Sequence, residues 1–287
     1  MTRRWGIARG ELSLEAPLLM GIVNVTPDSF SDGGLLPTAE SAIAHGSRLV
    51  ADGAALLDIG GESTRPRAQP VALEVELERV LPVVAGLSAS GAVVSIDTTK
   101  SDVARAALEA GAVIINDISG GSDPDLLEAA ARFDAGMVLM HMRGTPQTMQ
   151  DDPTYADVVT EVGDFLAERT RLAMQAGISP DRICVDPGIG FGKRQEHNLA
   201  LLAGLPRLRR LGFPIMVGIS RKAFLGRITG EKDPLRRDVA TAAGVATLWD
   251  QGVDIFRVHN VAACREALLV AMAIVPPVDD SDESTRD

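Results

Sequence analysis

One closed α/β domain, a (β/α)8 TIM barrel, is the architecture this sequence predicts, and three observations predict it. Eight short apolar runs rich in β-branched residues recur along the chain. Each leads through a polar or glycine-rich loop into an amphipathic stretch, and 287 residues accommodate eight such repeats. The runs fall at residues 19–25, 55–60, 93–97, 113–117, 137–141, 183–186, 215–219 and 255–259, each short enough for a buried parallel strand. Amphipathic stretches follow at 38–51, 72–85, 102–109, 157–175 and 238–249, as helices covering such strands require. An open doubly wound sheet would have fewer strands and a glycine-rich first turn. Residues 5–17 precede the first strand and predict a short hairpin closing the bottom of the barrel. Residues 1–278 then form one domain, with 279–287 an acidic, disordered tail.

Composition excludes several functions. Asp and Glu total 39 against 28 Lys and Arg, so a phosphate backbone meets net repulsion and no nucleic-acid partner is expected. Cys184 and Cys264 lie far apart in apolar surroundings, without metal spacing, and read as reduced core thiols. The N-terminus has Arg3, Arg4, Arg9 and Glu11 and no apolar h-region, and the longest apolar stretch, 267–275, is too short to span a bilayer. A cytoplasmic protein with no membrane partner is expected.

In a barrel, chemistry belongs to the strand ends and the loops that follow them. Here those positions carry Asn24, then Glu62, Ser63, Thr64 and Arg65, then Asp97, Asn116 and Asp117, His141, Asp186, then Ser220, Arg221 and Lys222, and last Arg257, His259 and Asn260. Half-buried charges need a partner or a ligand, so the set implies an anionic, phosphorylated small molecule. Plainer roles stand beside this reading. Asp97 with Thr98 and Thr99, or Asn116 or Asp117, would serve equally as helix caps. His141 divides evenly between a structural strand end and the pocket rim, while His45 and His197 read as surface residues. The run Asp186 to Lys193 is no P-loop, because its glycine spacing is wrong and Arg194 stands where Ser or Thr is required. Ser220 lacks the glycine of a nucleophile elbow, Lys222 occupying that place, which disfavours a hydrolase triad with His259. The sequon at Asn24 is formal only, without a secretion signal.

Beyond these residue types, whole motifs bear a resemblance. Met20-Gly-Ile-Val-Asn-Val-Thr-Pro-Asp-Ser-Phe-Ser-Asp-Gly-Gly34 resembles the opening motif of the dihydropteroate synthase family, and Gly60-Gly-Glu-Ser-Thr-Arg-Pro66 its second active-site loop. The match continues through Ser95-Ile-Asp-Thr98, Ile115-Asn-Asp117, Asp186-Pro-Gly-Ile-Gly-Phe-Gly-Lys193, Ser220-Arg-Lys222 and Arg257-Val-His-Asn260, in order and across nearly the whole chain. The resemblance implies condensation of 7,8-dihydropterin-6-ylmethyl diphosphate with 4-aminobenzoate, giving 7,8-dihydropteroate and diphosphate by an SN1-like route in folate biosynthesis. It implies a pterin pocket of Asp97, Asn116, Ile118, Met140, Asp186, Phe191 and Lys222. The diphosphate falls to Asn24, Thr64, Arg65, Arg257 and His259, with Mg²⁺ contacted by Asn24. The 4-aminobenzoate falls to Phe30, Thr64, Pro66, Phe191, Ser220, Lys222 and Ala223, its carboxylate at the start of a helix near Ala223. Catalytic roles are expected of Asp28, Ser29, Asp32, Thr64, Arg65 and Lys222, with loops 26–36 and 63–70 closing over the intermediate. A homodimer through residues 238–249 and 262–274 is implied as well.

The residue types suit that chemistry on their own terms. A pterin presents ring nitrogens, an amino group and a carbonyl, so it needs donors and acceptors together, and a departing diphosphate needs cations. Two departures stand out. Ala223 replaces a frequent serine, and Arg67 replaces the glycine of the common Arg-Pro-Gly, near the aminobenzoate mouth, so an altered response to sulfonamides is expected. Two other readings share the motifs: a methyltetrahydrofolate-binding methyltransferase module, which has no use for diphosphate ligands, and a non-catalytic pterin-binding paralogue.

Overall fold

The computed structural model describes residues 3–26 and 38–274. Asp28, Ser29, Phe30 and Asp32, most of the first active-site loop and the tail at 279–287 lie outside the described residues.

A two-stranded hairpin opens the chain, β1 (Arg4–Ile7) antiparallel to β2 (Gly10–Ser13). Trp5 fixes its place: the indole is wholly buried and Nε1 donates to the Arg182 carbonyl at 2.9 Å. It packs in one apolar cluster with Met20, Leu56, Ile114, Val138, Cys184 and Ile255, so the hairpin plugs the barrel from below, as the sequence predicts.

Eight parallel strands follow: β3 (Leu18–Asn24), β4 (Leu56–Gly60), β5 (Val94–Asp97), β6 (Ile114–Asp117), β7 (Gly136–Met140), β8 (Ile183–Asp186), β9 (Met216–Val217) and β10 (Ile255–Val258). Their order, β8-β7-β6-β5-β4-β3-β10-β9, runs around a cylinder, and a parallel bridge between Val185 and Ile215 closes it. The seventh predicted run is strand only at its centre. A turn closed by the Lys222 N–H on the Ile219 carbonyl at 3.2 Å begins there and takes the chain out of the sheet.

Helices cover the outside: α1 (Ala39–Ala51), α2 (Leu73–Ala89), α3 (Ser101–Glu109), α4 (Pro124–Arg132), α5 (Val158–Gln175), α6 (Gln195–Ala203), α7 (Leu205–Leu208), α8 (Ala223–Thr229), α9 (Asp238–Leu248) and α10 (Val261–Ile274). The α2 helix passes its predicted end at residue 85, because Leu87 continues the buried face of Val80, Val83 and Val84. Strand residues alternate between the two sides. Leu57 and Ile59 belong to the large cluster under the helices, Leu56 to the interior cluster with Trp5. Asp58 and Gly60 share the parity of Leu56 and face the barrel axis. Neighbouring strands set Asn24 beside Gly60, Gly60 beside Asp97, and Asp97 beside Asn116. Strand register therefore brings residues distant in sequence to one mouth. No helix of the described residues is long and apolar enough to cross a membrane.

Candidate active site

The mouth is built on a buried ionic centre. The Arg257 guanidinium reaches across the barrel, Nε donating to Asp58 Oδ2 at 2.6 Å and a terminal nitrogen to Asp97 Oδ2 at 2.7 Å. Asp58 Oδ2 also accepts from Asn116 Nδ2 at 2.9 Å. Asp58 is fully buried, Asp97 and Asn116 nearly so. Burial drives the Asp97 carboxyl up to about 7; Arg257 pulls it back, while Asp58, Glu76 and Asp117 add to the rise. Asp97 therefore pairs with a cation and caps no helix. The α3 helix starts after Lys100 without a side-chain cap. Asp117 turns to its own loop, accepting from the N–H groups of Ser119 and Gly121.

A second group of charges lies beside the first. Asp186 accepts from the Gly188 N–H at 2.7 Å through one oxygen, and the other accepts from no described residue. Burial raises the pKa of its carboxyl, with Lys222 opposing. Lys222 donates to the Ile189 carbonyl and lies 4.6 Å from the centre of the Phe191 ring. Burial brings its ammonium down to about 8, against the pull of Asp186. The glycine-rich run that carries Ile189 and Phe191 wraps around Lys193, whose buried amine meets the Gly188 and Phe191 carbonyls and His141 Nδ1, each at 2.9 Å. Gly188 has φ +66°, and a Cβ there would overlap the His141 carbonyl, so the wrap needs glycine. His141, brought down to about 3 by burial and then by Lys193, is a neutral acceptor in this structural knot. The cavity of about 410 Å³ that it lines beside α5, with Arg143, Glu161 and Phe165, contains none of the expected ligand residues, so its contacts are those of the structural strand end. His45 and His197 are half-buried rather than on the surface: the His45 ring interacts with the Ile22 backbone, and His197 Nδ1 accepts from the Arg194 N–H that opens α6.

The anion side is made by the strands flanking β3. Arg65 is exposed and, among the described residues, no carboxylate pairs with it. The half-buried Asn24 amide is hydrogen-bonded to no described residue. His259, expected among the diphosphate residues, is not a third cation beside Arg65 and Arg257. Burial, with Arg221 and Arg257 adding, pushes it down to about 3, so the ring is neutral near pH 7. Ser220 Oγ stands 2.8 Å from His259 Nδ1 and accepts from the His259 N–H at 3.1 Å. With the hydroxyl donating to Nδ1, the ring proton sits on Nε2, and the ring offers an anion a neutral donor. Among the described residues no carboxylate hydrogen-bonds to this ring, and so acidic an imidazolium makes a poor base. The serine and histidine do meet, but they form no triad. Arg257 likewise differs from an unpaired cation: Nε and one terminal nitrogen are held by carboxylates, and the other terminal nitrogen bonds to no described residue.

Around the outer mouth, Thr64, Asp97 and Ile118 line a cavity of about 370 Å³ with Glu62 and Lys100. Lys100 bridges Glu62 and Glu76, Glu62 accepts from the Val71 N–H at 3.2 Å, and Arg79 holds the Gly61 carbonyl at 2.8 Å. These contacts anchor the second loop at its base and leave Pro66 exposed. Met140 ends its strand inside, buried like Ile118. The helix expected near Ala223 is α8, which has only seven residues, so the Ala223 N–H rather than a sizeable dipole is what it offers a carboxylate. Arg221, at φ +58°, grips Asp238 at 2.7 and 2.9 Å and fixes the turn between Ser220 and Lys222.

The pattern of the family described as "Pterin binding enzyme" matches residues 20–259. A dihydropteroate synthase of Synechocystis sp. is 46% identical over 258 residues, 89% of each chain. The chain belongs to the dihydropteroate synthase family. The fold agrees throughout. A dihydropteroate synthase of Xanthomonas albilineans with 4-aminobenzoic acid superposes with a TM-score of 0.90 at 48% identity, covering 96% of this chain and 100% of that one. A second structure of a Xanthomonas albilineans dihydropteroate synthase, in complex with 7,8-dihydropteroate, gives 0.87 at 46% identity, covering 95% and 100%.

Within this family the Arg67 departure now has a physical reading. Its φ of 65° is the left-handed conformation glycine adopts freely. Arg67 is nonetheless held: its N–H donates to the Pro146 carbonyl at 2.8 Å, and its exposed guanidinium lies 3.4 Å from Asp151. Left-handed strain of about 1 kcal/mol exceeds the extra chain entropy a glycine loses, about 0.5 kcal/mol. An Arg67→Gly variant is therefore expected to unfold at slightly higher denaturant and to respond differently to a sulfonamide. Identical sulfonamide inhibition in parent and variant would contradict the second expectation.

Proposed function

We propose that this chain joins 7,8-dihydropterin-6-ylmethyl diphosphate to 4-aminobenzoate, releasing diphosphate and forming 7,8-dihydropteroate. The observation that carries the reading is the convergence of Asp97, Asn116, Asp186, Lys222 and Arg257 at one barrel mouth, in a chain of this family. Acceptors on Asn116 and Asp186 suit the donor edge of a pterin, its 2-amino group and ring N–H. Lys222 and Arg257 suit its carbonyl and ring nitrogen. Ile118, Met140 and Phe191 supply apolar walls.

In this proposal Asn24, Thr64, Arg65, Arg257 and His259 take the diphosphate, as an amide, a hydroxyl, two cations and a neutral N–H donor. At an effective dielectric near 20, a cation about 4 Å from a phosphate charge contributes on the order of 4 kcal/mol before desolvation. Such stabilisation grows as the carbon–oxygen bond breaks and its electron pair leaves with diphosphate. The dihydropterin ring stabilises the resulting methylene cation, and the aromatic amine then forms the carbon–nitrogen bond and loses a proton. No protein nucleophile is used, and positioning does the remaining work. One amide oxygen on Asn24, with phosphate oxygens and water, fits Mg²⁺, which would neutralise charge on the leaving group. Among the described residues no group of three His, Cys, Asp or Glu could hold a metal ion on protein ligands alone, so the substrate would bring most of the coordination. The 4-aminobenzoate would lie against Thr64, Pro66, Phe191, Ser220, Lys222 and Ala223. A cytoplasmic setting goes with this reading, both cysteines being free and buried.

A homodimer is part of the same proposal. Leu235, Val239, Leu269, Val270 and Ile274 are exposed apolar residues on or beside the packed pair α9 and α10. Light scattering is expected to give twice the chain mass, falling to that of one chain in Val239→Asp; a monomeric parent would remove the dimer.

The test of the activity follows diphosphate and dihydropteroate together, with Mg²⁺, with and without 4-aminobenzoate. Product in step with diphosphate is expected, with both lost in Arg257→Ala. Pterin binding without turnover would instead support a non-catalytic paralogue. The reading also has a pH signature. Lys222 loses its charge as pH rises through about 8, so the affinity for the pterin diphosphate should fall above that pH. Lys222→Arg keeps its charge and should show no such fall by titration calorimetry; an identical fall in that variant would assign the limb to another group.

A further inference from the structure

Asp58 is fully buried, and nothing in the motifs assigned it a role. One of its oxygens, Oδ2, accepts from both Asn116 Nδ2 at 2.9 Å and Arg257 Nε at 2.6 Å. The other, Oδ1, is buried without a partner among the described residues. A carboxylate with an unmet oxygen is a poor stabiliser of a barrel interior. Its effect is on geometry. A carboxylate only accepts, so the Asn116 amide must turn its nitrogen toward Asp58 and its oxygen away. Asn116 Oδ1 accepts from no described residue and is left for a ligand donor, on the same mouth as the unmet oxygen of Asp186.

We propose that Asp58 is a positioning residue that sets the donor and acceptor polarity of the pterin pocket, by locking the Asn116 amide with its oxygen outward and holding Arg257 in place. It touches no substrate atom. The inference rests on the pterin reading above and adds the reason for discrimination at the 2-position. A 2-amino group presents donors to Asn116 Oδ1 and Asp186. A 2-oxo group, as in a lumazine, presents an acceptor to those same oxygens and is rejected.

In Asp58→Asn the neighbouring side chain can both donate and accept. The Asn116 amide is then free to turn over and accommodate either group. The measurement is the ratio of Kd values for 6-hydroxymethylpterin and 6-hydroxymethyllumazine, by calorimetry on the full chain. The parent is expected to prefer the pterin by at least roughly 100-fold, and Asp58→Asn to retain under a tenth of that ratio. If both ligands weaken equally and the ratio stays at the parent value, Asp58 is merely structural and the proposal is overturned. Should Asp58→Asn not fold, Asn116→Ala removes the amide that Asp58 orients and must collapse the same ratio; a ratio kept in that variant overturns the proposal too. A parent chain that binds the pterin without preferring it overturns this inference alone. One that binds no pterin overturns the function reading as well.

Discussion

The site depends on one guanidinium held between two carboxylates inside a barrel. Arg257 comes from the last strand, Asp58 and Asp97 from the second and third strands of the barrel, and the two contacts span 199 and 160 residues of sequence. Removing one partner of such a buried arrangement typically costs about 3–5 kcal/mol, because the remaining charge is stranded. The barrel can hold it because closure, completed at Val185 and Ile215, fixes the strands around a common axis. Asn116 is drawn in through Asp58, and the carboxyl of Asp97 responds to the same cation.

Around that centre the chain divides its labour. Below it, Trp5, Met20, Leu56, Ile114 and Ile255 pack the axis and set stability. Above it, short loops carry the polar groups, each tied down locally: the glycine-rich loop around Lys193, the Ser220 turn by Arg221 and Asp238, the base of the second loop by Lys100 and Arg79. Rigid anchoring of this kind suits a reaction in which charge separates and no covalent bond to protein forms.

Much of the architecture was legible from periodicity alone. Eight apolar runs followed by amphipathic stretches correspond to eight strands and their helices, and the hairpin beneath the barrel follows from residues 5–17. Boundaries drifted where packing outweighed local pattern, as at Leu87 in α2. Members of the site were legible because they end strands, whereas Asp58 was not, lying mid-strand inside an apolar run. Its parity with Leu56 and Gly60 was the available signal, marking a carboxylate aimed at the barrel axis. The protonation state of His259 was beyond sequence reading too, since it comes chiefly from burial, with arginines that the fold gathers around it adding. Lys193 looked like the end of a motif and proved to be the post around which that motif is wound.

The most direct test is a crystal structure of this chain with a bound dihydropterin. The ring's donor edge is expected on Asn116 Oδ1 and Asp186, with Arg257 still bridging Asp58 and Asp97 beneath it. A ring seated instead in the outer cavity beside Glu62 and Lys100, or an Arg257 released from Asp58, would contradict this arrangement.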